Sequence, residues 1–279
     1  MPELIRNFDN RNQPIVDGKK GILSLTYFNL LRLRKGQDFQ QKVDGFETLY
    51  VVLSGNCHVV VDGVRFENVG RRKDFWSGKA DSVYATTGAI VNIRSNHDET
   101  EIAVAGGHSN QEFPPFRIFP EEVDMVDVGS NETRTRRRIF HILGQNAVGR
   151  AGNLLVSELY ADEGCWCGYP PHKHDEERGT EETAFEELYH YRFHPETGFG
   201  AQVVFQPDGS SQCFMTHNGD TVLLDRGYHP AVTSPGHAGY IFTILVGKYQ
   251  RSLIQYFCKD YHYLMNKFPG LKAMRDKFK

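Results

Sequence analysis

The chain predicts a mainly β fold, a sandwich, barrel or jelly roll that is used twice. Three observations carry this. Short runs rich in Val, Ile, Tyr and Phe recur about every ten residues, with Gly and Asp turn signals between them. Many of the runs alternate apolar with polar, the period of a half-buried strand. The pattern also stops in a polar stretch near residues 120–135 and then begins again.

In the first half, strands are expected in residues 21–33, 48–53, 57–61, 64–66, 81–84, 89–93 and 101–104. Ser54, Gly55 and Asn56 read as a hairpin loop, and Asp62-Gly63 as a tight turn. His58, His97 and His108 have no partner at ligand spacing, so this half reads as a β domain without a metal centre. Phe113-Pro-Pro-Phe116 and Pro120-Glu-Glu122 punctuate the chain, and Arg134, Arg136, Arg137 and Arg138 follow in a basic run. With no aromatic residues interleaved, the run reads as a solvated linker or subunit contact rather than a polyanion site.

The second half repeats the theme in residues 138–143, 154–160, 187–193, 200–205, 213–217, 220–224 and 239–246. From Ser252 onward Leu253, Tyr256, Phe257, Tyr261, Leu264 and Met265 recur at helical spacing, which predicts a C-terminal helix. The expected organisation is an N-terminal domain over 1–125, a C-terminal domain over 134–250 and a helical tail over 251–279.

A net charge of −3 over 279 residues argues against general nucleic-acid or membrane-surface binding. The first residues lack a charged and then apolar leader, and no apolar run approaches the ~20 residues of a membrane span. Five scattered cysteines read as reduced thiols, with Cys165 and Cys167 as small buried hydrophobes, so the expected location is the cytoplasm.

The chemistry concentrates in Tyr169-Pro-Pro-His-Lys-His-Asp175. On an extended strand His172 and His174 point to one face and can reach one ion. Glu187 opens the next strand-like run, and His229 follows a Gly-Tyr turn. Three imidazoles and a carboxylate form a mixed N/O set suited to a divalent ion, zinc foremost, with manganese, iron or nickel also fitting. Strand parity puts Glu187, Tyr189, Tyr191 and Phe193 on one face and Leu188, His190 and Arg192 on the other. Residues 175–184 read as a loop over the open end of the site.

These motifs resemble a two-domain cupin, although twelve residues between His174 and Glu187 exceed the usual cupin spacing. Tyr169–Asp175, Glu186-Glu-Leu-Tyr-His-Tyr-Arg192 and Asp225-Arg-Gly-Tyr-His-Pro230 more closely resemble the 5-deoxyglucuronate isomerases of bacterial inositol catabolism. That family shares its fold with the pectin-pathway uronate ketol-isomerases. The resemblance implies two tandem jelly-roll cupin domains, the ligand set His172, His174, Glu187 and His229, and conversion of 5-deoxy-D-glucuronate to 2-deoxy-5-keto-D-gluconate. His190, Cys167 and Asp225 stand where the family more often has Tyr, Ser and Pro.

For such an aldose–ketose isomerisation, Tyr189 and Glu158 are the candidate proton-handling residues. Arg226 and Tyr191 are the candidate substrate contacts, with Arg226 holding the carboxylate. The expected partner is a small sugar acid, and self-association is expected through the C-terminal helix and the metal-free barrel. A related uronate ketol-isomerase, a cupin oxygenase and a non-catalytic sugar-binding module are the competing readings.

Overall fold

The computed structural model describes residues 2–19 and 21–277. Residues 278 and 279 of the expected tail lie outside the described residues. Each half of the chain builds a two-sheet jelly-roll barrel from antiparallel strands. In the first, a six-stranded sheet runs Phe116–Ile118, Asp81–Ala85, Phe46–Ser54, Glu99–His108, Thr26–Arg34 and Val16–Asp17. It faces a four-stranded sheet of Asp38–Lys42, Ile90–Ser95, Cys57–Val61 and Val64–Val69. In the second, a seven-stranded sheet runs Glu3–Ile5, Thr221–Leu224, Phe185–His194, Ala238–Gly247, Leu154–Ala161, Arg137–Leu143 and Asp124–Val128. Its companion holds Trp166–Cys167, Ala231–Thr233, Phe199–Phe205 and Ser211–His217.

The two large sheets pack back to back. Phe28, Leu30, Leu49 and Val51 from the first meet Leu154, Val156, Phe242 and Ile244 from the second in one buried cluster. Strands of these sheets are therefore covered on both faces, which is why Phe46–Ser54 and Leu154–Ala161 are buried almost throughout. The outer sheets have one wet face, and Ile90–Ser95 alternates exposed with buried. The first barrel's lumen is filled by Tyr27, Leu31, Phe46, Tyr50, Val59 and Val91. No His, Cys, Asp and Glu cluster fit for a metal occurs there among the described residues.

Several expectations change here. Ser54, Gly55 and Asn56 do not close a hairpin: Phe46–Ser54 belongs to the large sheet and Cys57–Val61 to the small one, so the chain crosses between layers. Asp62-Gly63 does close one, with Val61 opposite Val64 and both turn residues at positive φ. The second sheet takes in Glu3–Ile5 from the N-terminus and Asp124–Val128 from the stretch placed at and beyond the first domain's end. The helical stripe over 253–265 is not a helix through its length. Tyr256–Phe257 forms a short strand against His172–Lys173, Lys259–Leu264 is a 3₁₀ turn, and the α-helix is Leu271–Lys277. Apolar spacing there reflects contact with the barrel mouth rather than a helical period.

Buried carboxylates stitch the halves together. Glu158 accepts from both Arg72 amines at 2.9 and 2.6 Å and from Tyr240 Oη at 2.9 Å. Glu47 accepts from the Gly152 and Leu154 amides, and Glu186 from the Ser24 and Leu25 amides. The Arg72–Glu158 pair is almost wholly shielded from water, and losing one partner of such a pair leaves an uncompensated charge costing about 3–5 kcal/mol. Glu158→Ala is therefore expected to lower the thermal midpoint sharply, while the Arg72→Leu/Glu158→Leu double substitution recovers most of the loss. Calorimetry of the two variants checks this; equal destabilisation of both would contradict it.

Candidate active site

The second barrel's lumen carries the site. The Phe185–His194 strand sends Glu187 inward and Glu186 outward to the first half. The Tyr256–Phe257 strand pins His172–Lys173 across the barrel mouth. Lys173 turns away from the lumen, donating to Asp175, Glu176 and Glu182, so the neighbouring histidines face inward. His229 follows a turn whose Gly227 has φ +91°, where a Cβ would collide with Gln206. Gln202 donates to the carbonyls of His229 and Pro230 at 2.9 and 3.1 Å and fixes that loop.

His174, Glu187 and His229 converge: one ligand-type atom from each lies within 4.8 Å of the others, and all three residues are buried. Glu187 Oε2 is 2.9 Å from His174 Nε2 and 3.0 Å from His229 Nε2. The His229 contact is not aligned as a hydrogen bond, so that buried nitrogen has no directed partner among the described residues. Its other nitrogen, Nδ1, is 2.8 Å from the Gly227 carbonyl, which orients Nε2 toward the carboxylate. His172 stands beside the trio, its ring 5.1 Å from that of His229, but its Nε2 meets the Gln255 amide at 2.9 Å. Two imidazole nitrogens and a carboxylate oxygen aimed at a common point, with a third imidazole adjacent, fit a divalent ion of the zinc type.

Electrostatics agree with that convergence. Burial alone would raise the Glu187 carboxyl, yet the hydrogen bond with His174 and the close approach of the His229 imidazole hold it well below the usual carboxylate range. Burial pushes His172 well down, keeping it neutral. For His174 burial also acts downward, but the Glu187 bond outweighs it and the imidazole is raised. Tyr189 is pushed well above the ordinary phenol value, by burial first and then by the Glu187 charge, so it remains a hydroxyl donor.

The cleft beside the trio is lined by Arg137, Ser157, Glu187, Tyr189, Thr243 and Gln255, with Ile139, Leu159 and Met274 among the apolar walls. One row of the sheet is polar across four neighbouring strands. Tyr189 lies opposite Thr243, Thr243 opposite Ser157, and Ser157 opposite His141, whose Nδ1 is 3.1 Å from Ser157 Oγ. Direct cross-strand partners share a face, so this row is a polar shelf one step along the strand from Glu187.

Two sequence-predicted residues stand elsewhere, and a third lies in the lumen with its hydroxyl engaged. Glu158 points to the opposite face of its strand from Ser157 and is bound by Arg72, so it cannot take a substrate proton. Arg226 is exposed on the turn before Gly227 and pairs with Asp225 at 2.8 Å. Tyr191 is in the lumen, but its hydroxyl is spent on Gln202 Oε1 at 2.5 Å, where it supports the His229 loop. Ser157, Thr243, Gln255 and Arg137 were not singled out from the sequence. Alternation along residues 154–160 puts Ser157 opposite Glu158 in facing and was the available signal; nothing in the basic run distinguishes Arg137 from its neighbours.

Comparison with known proteins follows this geometry. Residues 4–264 match the KduI/IolB family. The 5-deoxy-glucuronate isomerase of Geobacillus thermodenitrificans is 33% identical over 222 residues, 79% of each chain. That of Bacillus subtilis strain 168 is 31% identical over 227 residues, 80% of this chain and 82% of the relative. Among solved structures, an IolB-like protein from Salmonella typhimurium LT2 has a TM-score of 0.86 at 27% identity, covering 94% of this chain and 98% of its own. Oxalate decarboxylase from Bacillus subtilis has a TM-score of 0.61 at 12% identity, over 91% of this chain and 77% of that one, a likeness that shows the two-barrel cupin fold alone. The chain is thus an isomerase built on a pair of jelly-roll barrels, and it belongs to the KduI/IolB family.

Proposed function

We propose that the protein is a metal-dependent aldose–ketose isomerase acting on 5-deoxy-D-glucuronate to give 2-deoxy-5-keto-D-gluconate, a step of myo-inositol breakdown. The observation that carries this reading is the convergence of His174, Glu187 and His229 at the head of a cleft with a polar wall. The names of its 30–33%-identical relatives supply the substrate.

His174, Glu187 and His229, with His172 released from Gln255, would hold the ion. Bound there, a divalent cation supplies Lewis-acid polarisation of the substrate carbonyl. The chain's residues manage the rest. The reaction breaks the C2–H bond, forms a C1–H bond and passes the O2 proton to O1. Tyr189, held protonated, donates to a substrate oxygen where negative charge develops. Thr243 and Ser157 offer hydroxyls to the substrate's own hydroxyls along the polar row. His141, with Nδ1 3.1 Å from Ser157 Oγ, forms with it the pair that takes and returns the carbon-bound proton. Ile139, Leu159, Leu245 and Leu253 exclude water from the cleft.

Two outcomes test this. Metal-loaded protein is expected to isomerise 5-deoxy-glucuronate without consuming oxygen, and chelator-stripped protein or His174→Ala to lose at least about 100-fold in kcat/KM. Full turnover by stripped protein would remove the metal from the mechanism. Replacing His141 by Gln is expected to lower kcat by about 10²–10⁴-fold, with metal content unchanged. An unaltered kcat would take His141 out of the proton path.

A further inference from the structure

Arg137 opens the Arg137–Leu143 strand and is 1% exposed. It lines the same cleft as Glu187, Tyr189 and His172 and is the fixed cation among that cleft's described lining residues. Its Nη1 donates to the Thr135 carbonyl and its Nη2 to the Tyr169 carbonyl, each at 3.0 Å. A guanidinium carries five N–H donors, so more than half of the fork is left over. The other buried arginines are differently provided. Arg72 is clamped by Glu158, and Arg251 donates to the carbonyls of Gly144, Gly152 and Leu154 outside the cleft.

No carboxylate pairs with Arg137 among the described residues. Burial lowers its pKa, and the nearby groups that act against this are Cys167, Tyr189 and Cys165, none of them a carboxylate. Arginine nevertheless keeps its charge in proteins, and a buried charge is tolerated only with a compensating partner. The remaining cations near the motifs are already engaged: Lys173 by Asp175, Glu176 and Glu182, Arg192 by Glu101, and Arg226 by Asp225.

We propose that Arg137 is the residue that binds the substrate's carboxylate, setting both its orientation in the cleft and the preference for an acid over a neutral sugar. The assignment rests on the isomerase reading for the identity of the substrate, but the recognition of an anion does not. With the carboxylate on the Arg137 fork, the opposite, aldehyde end of the sugar is directed toward His174, Glu187 and His229. Arg137 acts here as a specificity-determining residue and not as a proton carrier. Its bond to the Tyr169 carbonyl also ties it to the segment leading into His172, so the test must separate recognition from support.

The experiment compares 5-deoxy-glucuronate with its C6 alcohol, 5-deoxy-glucose, in wild type, Arg137→Lys and Arg137→Met, with metal content measured in each. Wild type is expected to prefer the acid by about 100-fold, as a charge-assisted bidentate contact implies. Arg137→Met is expected to lose about 100-fold in kcat/KM for the acid, mainly through KM, and less than about 5-fold for the alcohol. Arg137→Lys should fall between. Equal losses on both sugars, or lost metal, would show a supporting role and overturn the proposal. A parallel calorimetric titration with D-glucuronate and D-glucose reads recognition without turnover. If wild type isomerises neither deoxy sugar, the isomerase reading fails, yet a glucuronate preference that disappears in Arg137→Met still upholds the anion site. Absence of that preference in wild type, or its persistence in the variant, overturns it. Should Arg137→Met not fold, Arg137→Lys decides by the same comparisons.

Discussion

Two consecutive carboxylates in the Phe185–His194 strand face opposite ways, and the organisation of the second barrel follows from that. Glu186 points out of the barrel and accepts from the Ser24 and Leu25 amides and the Thr26 hydroxyl of the first half. Glu187 points in and meets His174 and His229. A slip of one residue in register would exchange them, burying the wrong side chain in each layer. The outer contact therefore fixes which carboxylate enters the lumen. Leu154–Ala161 repeats the device, with Glu158 outward on Arg72 and Ser157 inward in the cleft.

This arrangement gives the first barrel a role although its own lumen is packed solid with Tyr27, Leu31, Tyr50 and Val59. It covers the outer face of the sheet that carries the site, and its buried donors hold the strands of that sheet in register. Rigid strands place ligand atoms more reproducibly than loops do. The two elements that are not strands of this sheet, the His172–Lys173 segment and the His229 turn, are each braced separately. The Tyr256–Phe257 strand holds the first, and the Tyr191–Gln202 pair holds the second.

Much of the site was legible from local spacing. His172-Lys-His174 and the parity of residues 187–193 depend on a two-residue period that a sequence displays directly. What could not be read was where a buried polar residue finds its partner in the other half. Glu158 looks like a base until Arg72, 86 residues earlier in sequence, is seen to close on it. Arg137 looks like one of several solvated cations until the strand it begins turns it into the lumen. The tail was misread for a related reason. Its apolar residues are spaced by their contacts with the barrel mouth, where Met274 and Gln255 line the cleft, and not by one helical face.

The central claim is that three imidazoles and one carboxylate from separate segments meet on a single ion. X-ray absorption spectroscopy of zinc-loaded protein tests it most directly. The account predicts a first shell of three imidazole nitrogens at about 2.0–2.1 Å and one carboxylate oxygen at about 2.0–2.2 Å, with one imidazole lost in His172→Ala, His174→Ala and His229→Ala alike. A sulfur shell near ~2.3 Å, or a shell unchanged by these substitutions, would place the metal elsewhere and contradict it.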